Sequence, residues 1–332
     1  MMAFTVTVAD ALDEVGAEEL FALDSTLGAL GSRGRLVQHT GDPRWEARYI
    51  VVRDDGTLVA AVPVFLGHGG QWSDHIHQPA DWGYPGAPVQ EHSALVGGRL
   101  EIRGSLRCKD DPDVLRAAGD ACRAQLSGRE IFFGYFDERQ QRLAEAMFGP
   151  VEWLAWYEDF DYPPAVVQGE LADLPRGVRQ SIRAGERKVA EFGIETAVVP
   201  WAEYDGSGCA LIAAQNRRKG IADHAALVGY RLDQWSECDD VSVYFVHGTT
   251  GDEEGAVSLL VYRDEVEVYE VGLPDGNGPS RRTLYSCLTF DVPRRLAREL
   301  GLTKVRAGLG AAQPKRIRGA QPVARRCGRA RI

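Results

Sequence analysis

The chain lacks a long apolar run. No stretch of its 332 residues approaches the roughly 18 apolar residues that cross a bilayer as a helix, so no membrane partner is expected. The first twenty residues have no basic region followed by an apolar core, so no secretory signal is read there. The six cysteines (Cys108, Cys122, Cys209, Cys238, Cys287 and Cys327) contain no CxxC pair and no zinc-like spacing. That excludes a disulfide framework and the usual zinc modules, and no nucleophile signature surrounds any of them. Reduced, mostly buried thiols of a cytoplasmic protein are expected. Glycine is plentiful, at 37 residues, but falls in short clusters without a collagen or solenoid period. Excess positive charge is also missing. A net charge of −10 argues against a general nucleic-acid binder, DNA included.

What positive charge there is falls in two places. From Lys304 onward the chain carries Lys304, Arg306, Lys315, Arg316, Arg318, Arg325, Arg326, Arg329 and Arg331, and no acid. A second stretch contains Arg176, Arg179, Arg183, Arg187 and Lys188, with Glu186 its only acid. An acidic body with two basic segments suits a local anionic ligand such as a phosphate, a coenzyme A or a tRNA end. Past Arg325 a frayed basic tail is expected.

Hydrophobic content of 44% is ample for two domains with cores. Residues 10–30 carry apolar positions at helical spacing. Strand Tyr49–Arg53, the turn Asp54-Asp55-Gly56 and strand Leu58–Phe65 form a hairpin, with Pro63 at an edge or bulge. A long Gly, Pro, Asp and His loop follows. Helices near Val114–Leu126 and Glu138–Met147 flank strand Ile131–Phe136. A helix then opens at Pro175. Residues 195–310 read as βααβββαβ, an α+β sheet with helices on its faces. The chain divides at residue 160, into 1–160 and 161–332.

The segment LPRGVRQSIRAGERKVAEFGIE resembles the basic helix that opens the second domain of Fem-type aminoacyl ligases and other double-GNAT proteins. The stretch from Tyr269 through Val323, with its strand, helix, strand, Gly-rich turn and K-x-x-R-G element, is similar to the late block of that group. Residues 45–66 resemble its opening hairpin. The resemblance implies tandem GNAT-like domains, mixed mostly antiparallel sheets flanked by helices, with the donor site in the second. It implies transfer of an acyl or aminoacyl group to an amine, with aminoacyl-tRNA or acyl-CoA as co-substrate and no tightly bound cofactor. The Gly-rich pyrophosphate loop of single-domain GNAT enzymes has only a poor match in Arg217-Arg218-Lys219-Gly220.

Such a transfer needs a neutral amine, a stabilised oxyanion and a donor held in line. Lys315, mapped by the resemblance onto the family lysine, and Arg318 are candidates for the oxyanion or a donor phosphate. Glu270 is the candidate base. Strict alternation puts Glu265, Glu267 and Tyr269 on one strand face and Glu270 with Val266 and Val268 on the other. Arg217, Arg218, Arg183, Arg187 and Lys188 are candidate donor contacts, although cations at a helix end or on a solvated face are ordinary. Trp72, Asp74, His75, His77, Asp81, Trp82 and Tyr84 lie on the long loop. Asp74, His75 and His77 have no third ligand cluster, so amine binding suits the loop better than a metal. Tyr269 and Tyr285 complete the acceptor candidates.

No sustained heptads mark an inserted coiled-coil arm, which favours a small-molecule acceptor; the amine is expected in specialised metabolism, such as antibiotic biosynthesis, or in cell-wall precursor modification. The resulting expectation is a tRNA-dependent N-acyltransferase. An acyl-CoA-dependent N-acetyltransferase and a non-catalytic GNAT-like binding module are its alternatives.

Overall fold

The computed structural model describes residues 4–68, 79–84, 90–99, 103–251 and 253–331. Its contacts divide the chain into two units. One is Met1–Tyr157 with Ala324–Ile332, and the other is Glu158–Val323.

In the first unit, β1 (Thr5–Ala9) pairs with β2 (Trp45–Asp54) across two short helices, α1 (Ala17–Leu23) and α2 (Arg33–Thr40). Asp55 and Gly56 adopt φ of 45° and 79°, the left-handed pair that an Asp-Gly turn supplies, and send the chain back as β3 (Thr57–Gly67). Pro63 sits inside β3 opposite Tyr49, just past the last β3–β4 pair, where β4 is Ser93–Val96. Its carbonyl accepts from Gly97 N–H (2.9 Å). The Gly97 carbonyl, which a proline cannot serve, takes the Ser105 N–H (2.7 Å) instead. Helix α3 (Pro112–Leu126) starts where Asp111 accepts from the N–H groups of Asp113 and Val114. It crosses over to β5 (Glu130–Phe136), parallel to β4, and α4 (Glu138–Phe148) follows. The core joins Ile50, Val62, Leu106, Leu115, Phe133 and Met147.

The unit boundary falls inside β6 (Glu152–Tyr162). The second unit then runs α5 (Pro164–Gln168), α6 (Arg176–Glu191), β7 (Glu195–Pro200), α7 (Cys209–Arg218), α8 (Ala225–Ser236), β8 (Ser242–Thr250), β9 (Glu253–Tyr262) and β10 (Glu265–Gly272). Next come α9 (Pro279–Ser286), a π-helical turn (Cys287–Asp291), α10 (Val292–Glu299), β11 (Lys304–Leu309) and α11 (Ala312–Arg316). Strands are ordered β6-β11-β10-β9-β8-β7, antiparallel except for β10 and β11. Phe160, Ile182, Val257, Val266, Leu288 and Val305 build its core.

The last strand, β12 (Gln321–Arg331), corrects the expectation of a frayed tail. From Ala324 it belongs to the first unit, where Arg326–Arg331 pair with Phe136–Glu130 of β5. Arg329 meets Glu152 (2.6 Å) and Glu130 (3.1 Å), and Arg325 meets Asp137 (3.4 Å). The neutralising acids lie more than 170 residues upstream, so the local sequence shows only the cations.

Candidate functional site

Among the described residues each unit contains one parallel strand pair, and the two pairs end differently. In the first unit β4 and β5 pair only over Ser93–Leu95 and Glu130–Phe132. Beyond that point the segment Arg103–Lys109 fills the space. Ala61 N–H bonds to the Arg107 carbonyl (2.9 Å) and Lys109 N–H to the Val59 carbonyl (3.0 Å). On the other side Gly104 packs so tightly on Gly134 of β5 that a Cβ would collide with its carbonyl.

In the second unit β10 and β11 pair from Glu265–Lys304 to Glu267–Arg306 and no further. β10 continues to Gly272 and β11 to Leu309. Each strand bulges within two or three residues of the last pair, β10 between Val268 and Glu270, β11 between Arg306 and Gly308. A bulge bends its strand and raises the local twist, so two bulges at the same level drive the strands apart. β11 stays with β6, through Gly308–Phe160 and Leu309–Asp159, while β10 stays with β9.

The β10 bulge corrects the face assigned to Glu270. An extra residue breaks the alternation, so the Glu270 carboxylate leaves the valine face and meets the α7/α8 helices. Its Oε1 accepts from Arg231 Nη2 (2.8 Å) and more distantly from Asn216 Nδ2 (3.5 Å). The same Arg231 nitrogen reaches Asp223 Oδ2 (2.8 Å), which also takes Asn216 Nδ2 (2.8 Å). Glu270 Oε2 is buried with no hydrogen-bond partner among the described residues. Burial raises the Glu270 pKa above its ordinary value, against the opposing pull of Arg231. Asp223 is held below its ordinary value despite burial, by hydrogen bonds from Arg231 and Asn216. Two carboxylates sharing one guanidinium are thereby driven apart in acidity, and Glu270 is the more readily protonated of the pair. Tyr269 lies beside it, its ring 5.6 Å edge-on from Trp235.

Lys315 is buried rather than presented as a bare cation. Its Nζ donates to the carbonyls of Gly308 (2.8 Å) and Leu309 (2.9 Å) and stands 5.3 Å from the Phe160 ring centre. It therefore fastens the end of β11 beside the fork. Arg318 donates to the Pro314 carbonyl (3.1 Å), stacks 5.6 Å from the Phe290 ring, and reaches α6 near Gly185. That brings it to the helix carrying Arg183, Arg187 and Lys188, all exposed. Helix α6 buries only Ile182 fully, with Val178 and Val189 resting on the core. Arg218 reaches the end of β10, donating to the Leu273 carbonyl and pairing with Asp275 (2.7 Å). Arg217 turns back to the Asp223 carbonyl (2.8 Å). Tyr285 sits largely buried on α9, where burial raises its pKa.

The loop candidates lie in the first unit. Trp82 corrects an expectation: its ring is 2% exposed and packs edge-on against Phe132 and Tyr135, so it is core rather than a surface for a ligand. Tyr84 bonds to Glu130 and carries the Arg329 guanidinium 4.7 Å over its ring. Asp81 is exposed. Trp72, Asp74, His75 and His77 fall outside the described residues. Among the described residues no group of three or more His, Cys, Asp and Glu could hold a metal, and no helix is long and apolar enough to cross a membrane.

Sequence reasoning missed Arg231, Asp223 and Asn216, which carry no motif and meet Glu270 only through folding. It also passed over Gly276-Asn277-Gly278-Pro279, the turn that leaves β10 and opens α9. Glycines between a strand and a helix-starting proline were the available signal.

No family model matches the chain, and no curated protein matches it in sequence. Solved structures share its fold. A tandem GNAT protein from the clavulanic acid biosynthesis pathway is 13% identical with a TM-score of 0.52, covering 99% of this chain and 98% of its own. FemX is 10% identical with a TM-score of 0.56, covering 96% of each chain. The C-terminal domain of a putative lysylphosphatidylglycerol synthetase from Agrobacterium fabrum is 11% identical with a TM-score of 0.53, covering 94% of this chain and 90% of its own. The chain has the tandem GNAT fold, its strands joined in one mixed sheet flanked by helices rather than in two separate sheets.

Proposed function

We propose that this protein is an N-acyltransferase that moves an aminoacyl group from tRNA to a small amine. One observation carries the reading: β10 and β11 stop pairing after Glu267–Arg306, whereas beyond the β4–β5 pairs the protein's own chain bonds to β3 and packs on β5. Among the described residues no strand pairs with the β11-facing edge of β10 past Glu267, and backbone groups on such an edge can align an acyl carbonyl as a strand would. Glu270 lies on that stretch with a raised pKa, suited to take the proton from the attacking amine. The amine nitrogen bonds to the acyl carbon, the ester bond to the tRNA hydroxyl breaks, and the proton lost by the amine passes through Glu270 to the departing oxygen. Lys315 keeps the end of β11 in place beside the fork.

The exposed cations of α6, joined by Arg318, support a nucleic-acid carrier. FemX and the lysylphosphatidylglycerol synthetase domain share the fold. Acyl-CoA is the second reading. The Gly276–Pro279 turn at the start of α9 favours it, since helix N–H groups bind phosphates. The clavulanic acid pathway relative, described as a form without AcCoA, favours it too.

Purified protein incubated with an amine panel and either charged tRNA or acyl-CoA, with and without ribonuclease, decides between them. Amide formation from charged tRNA that ribonuclease abolishes is expected. Turnover with acyl-CoA that survives ribonuclease eliminates the tRNA carrier. No product from either donor leaves a binding module.

A further inference from the structure

The second unit carries a groove at α7 and α8 that Glu270 does not line. It has a volume of about 400 Å³ and is walled by Trp201, Tyr204 and Tyr230. Its charged lining residues are Asp205 and Asp233; no lysine or arginine lines it. We propose that this groove binds an organic cation: a primary ammonium or guanidinium attached to a flat, ring-sized body.

The walls are fixed before any ligand arrives. Tyr204 stacks on Phe245 with ring centres 4.2 Å apart and planes 18° from parallel, and Trp201 leans on both rings. Trp201 Nε1 donates to Asp233 Oδ1 (2.7 Å), which holds that carboxylate at the groove. Tyr230 is 57% exposed on the facing rim, with its hydroxyl accepting from Gln234 Nε2 (2.9 Å). The floor is low because α8 presents Ala225, Ala226 and Gly229 there, and a Cβ on Gly229 would meet nothing within 4 Å.

The charge of the groove is negative. Asp205 accepts from the Ser207 N–H (3.0 Å), which lowers its pKa and keeps it ionised at neutral pH. The Cys209 thiol, pushed up to about 11 by burial, stays neutral. The nearby cation of α8, Arg231, is committed to Asp223 and Glu270. Aromatic faces attract cations through their quadrupoles, and two carboxylates add a charge that a neutral or anionic ligand cannot use. Taking that bound amine as the acceptor of acyl transfer rests on the function proposed above; the binding site does not.

Calorimetric titration of the full-length protein with benzylamine hydrochloride at pH 7, without any acyl donor, tests the site. Benzyl alcohol is the uncharged comparison. Saturable benzylamine binding is expected, with benzyl alcohol at least tenfold weaker. Asp233→Asn, which keeps the bond from Trp201, and Asp205→Asn, which keeps the bond from Ser207, should each weaken benzylamine about fivefold. Gly229→Leu fills the floor and should abolish binding with an unchanged melting temperature. Equal binding of benzyl alcohol, binding that survives Gly229→Leu, or no benzylamine binding overturns the proposal. Failure of acyl transfer with intact benzylamine binding would count against the enzyme reading alone.

Discussion

Arg231 Nη2 lies 2.8 Å from Oε1 of Glu270, yet the Glu270 carboxyl remains harder to ionise than an ordinary glutamate. Desolvation outweighs the ion pair because the guanidinium is shared with Asp223, whose negative charge also opposes ionisation of Glu270.

That relationship sets a pH dependence. If Glu270 accepts the amine proton, log kcat/KM should fall on the acid side with an apparent pKa above the 4.5 of an unperturbed glutamate. Glu270→Gln keeps an oxygen for Arg231 but cannot accept a proton. It should lower kcat/KM about a hundredfold and remove the acid limb. A Gln variant with wild-type rate and an unaltered profile would exclude Glu270 as the base.

Lys315 holds two carbonyls at the end of β11. Lys315→Met strands both and should destabilise the protein by about 2–4 kcal/mol, measured by urea unfolding. Lys315→Arg should not restore stability, because a planar fork does not replace a compact ammonium in a packed site. Lost activity with unchanged stability in the Met variant would instead mean that the charge acts on the reaction itself.

Asp291 ends the π-helical turn, and its Oδ2 is buried without a hydrogen-bond partner among the described residues. Burial raises its pKa to about 6, with Arg294 and Arg318 only partly opposing. The folded protein thus keeps this proton to higher pH than the unfolded chain does. Stability should fall as pH rises from about 4 to about 6 and then level off. Asp291→Asn should be more stable than wild type at pH 8, by up to about 2–3 kcal/mol, and the gap should close toward pH 4. Melting temperatures at pH 4, 6 and 8 check this; a variant less stable than wild type at pH 8 would refute it.

Much of the second unit was legible because its elements follow simple periods. Val257 through Tyr262 and Glu265 through Val271 read as two strands joined by a tight turn, in which Arg263 takes a φ of 55°. The basic helix showed its Pro start and Gly stop, and the structure gives Arg176–Glu191. Trp82 was misread because Gly, Pro, Asp and His around an aromatic look like a binding loop. Its burial depends on Phe132 and Tyr135, some fifty residues on. β12 was misread because four arginines in twelve residues look solvated until Glu130, Glu152 and Asp137 are placed opposite some of them.

The sequence by itself determined the helices and hairpin strands of the second unit up to β11, since apolar period, turn residues and helix ends are local properties, but not β12. Only the tertiary structure decided that Glu270 faces Arg231, that β10 and β11 diverge, and that Lys315 serves β11. A bulge is a mismatch between two strands, and a charge's role depends on the partner that folding supplies; neither belongs to one segment alone.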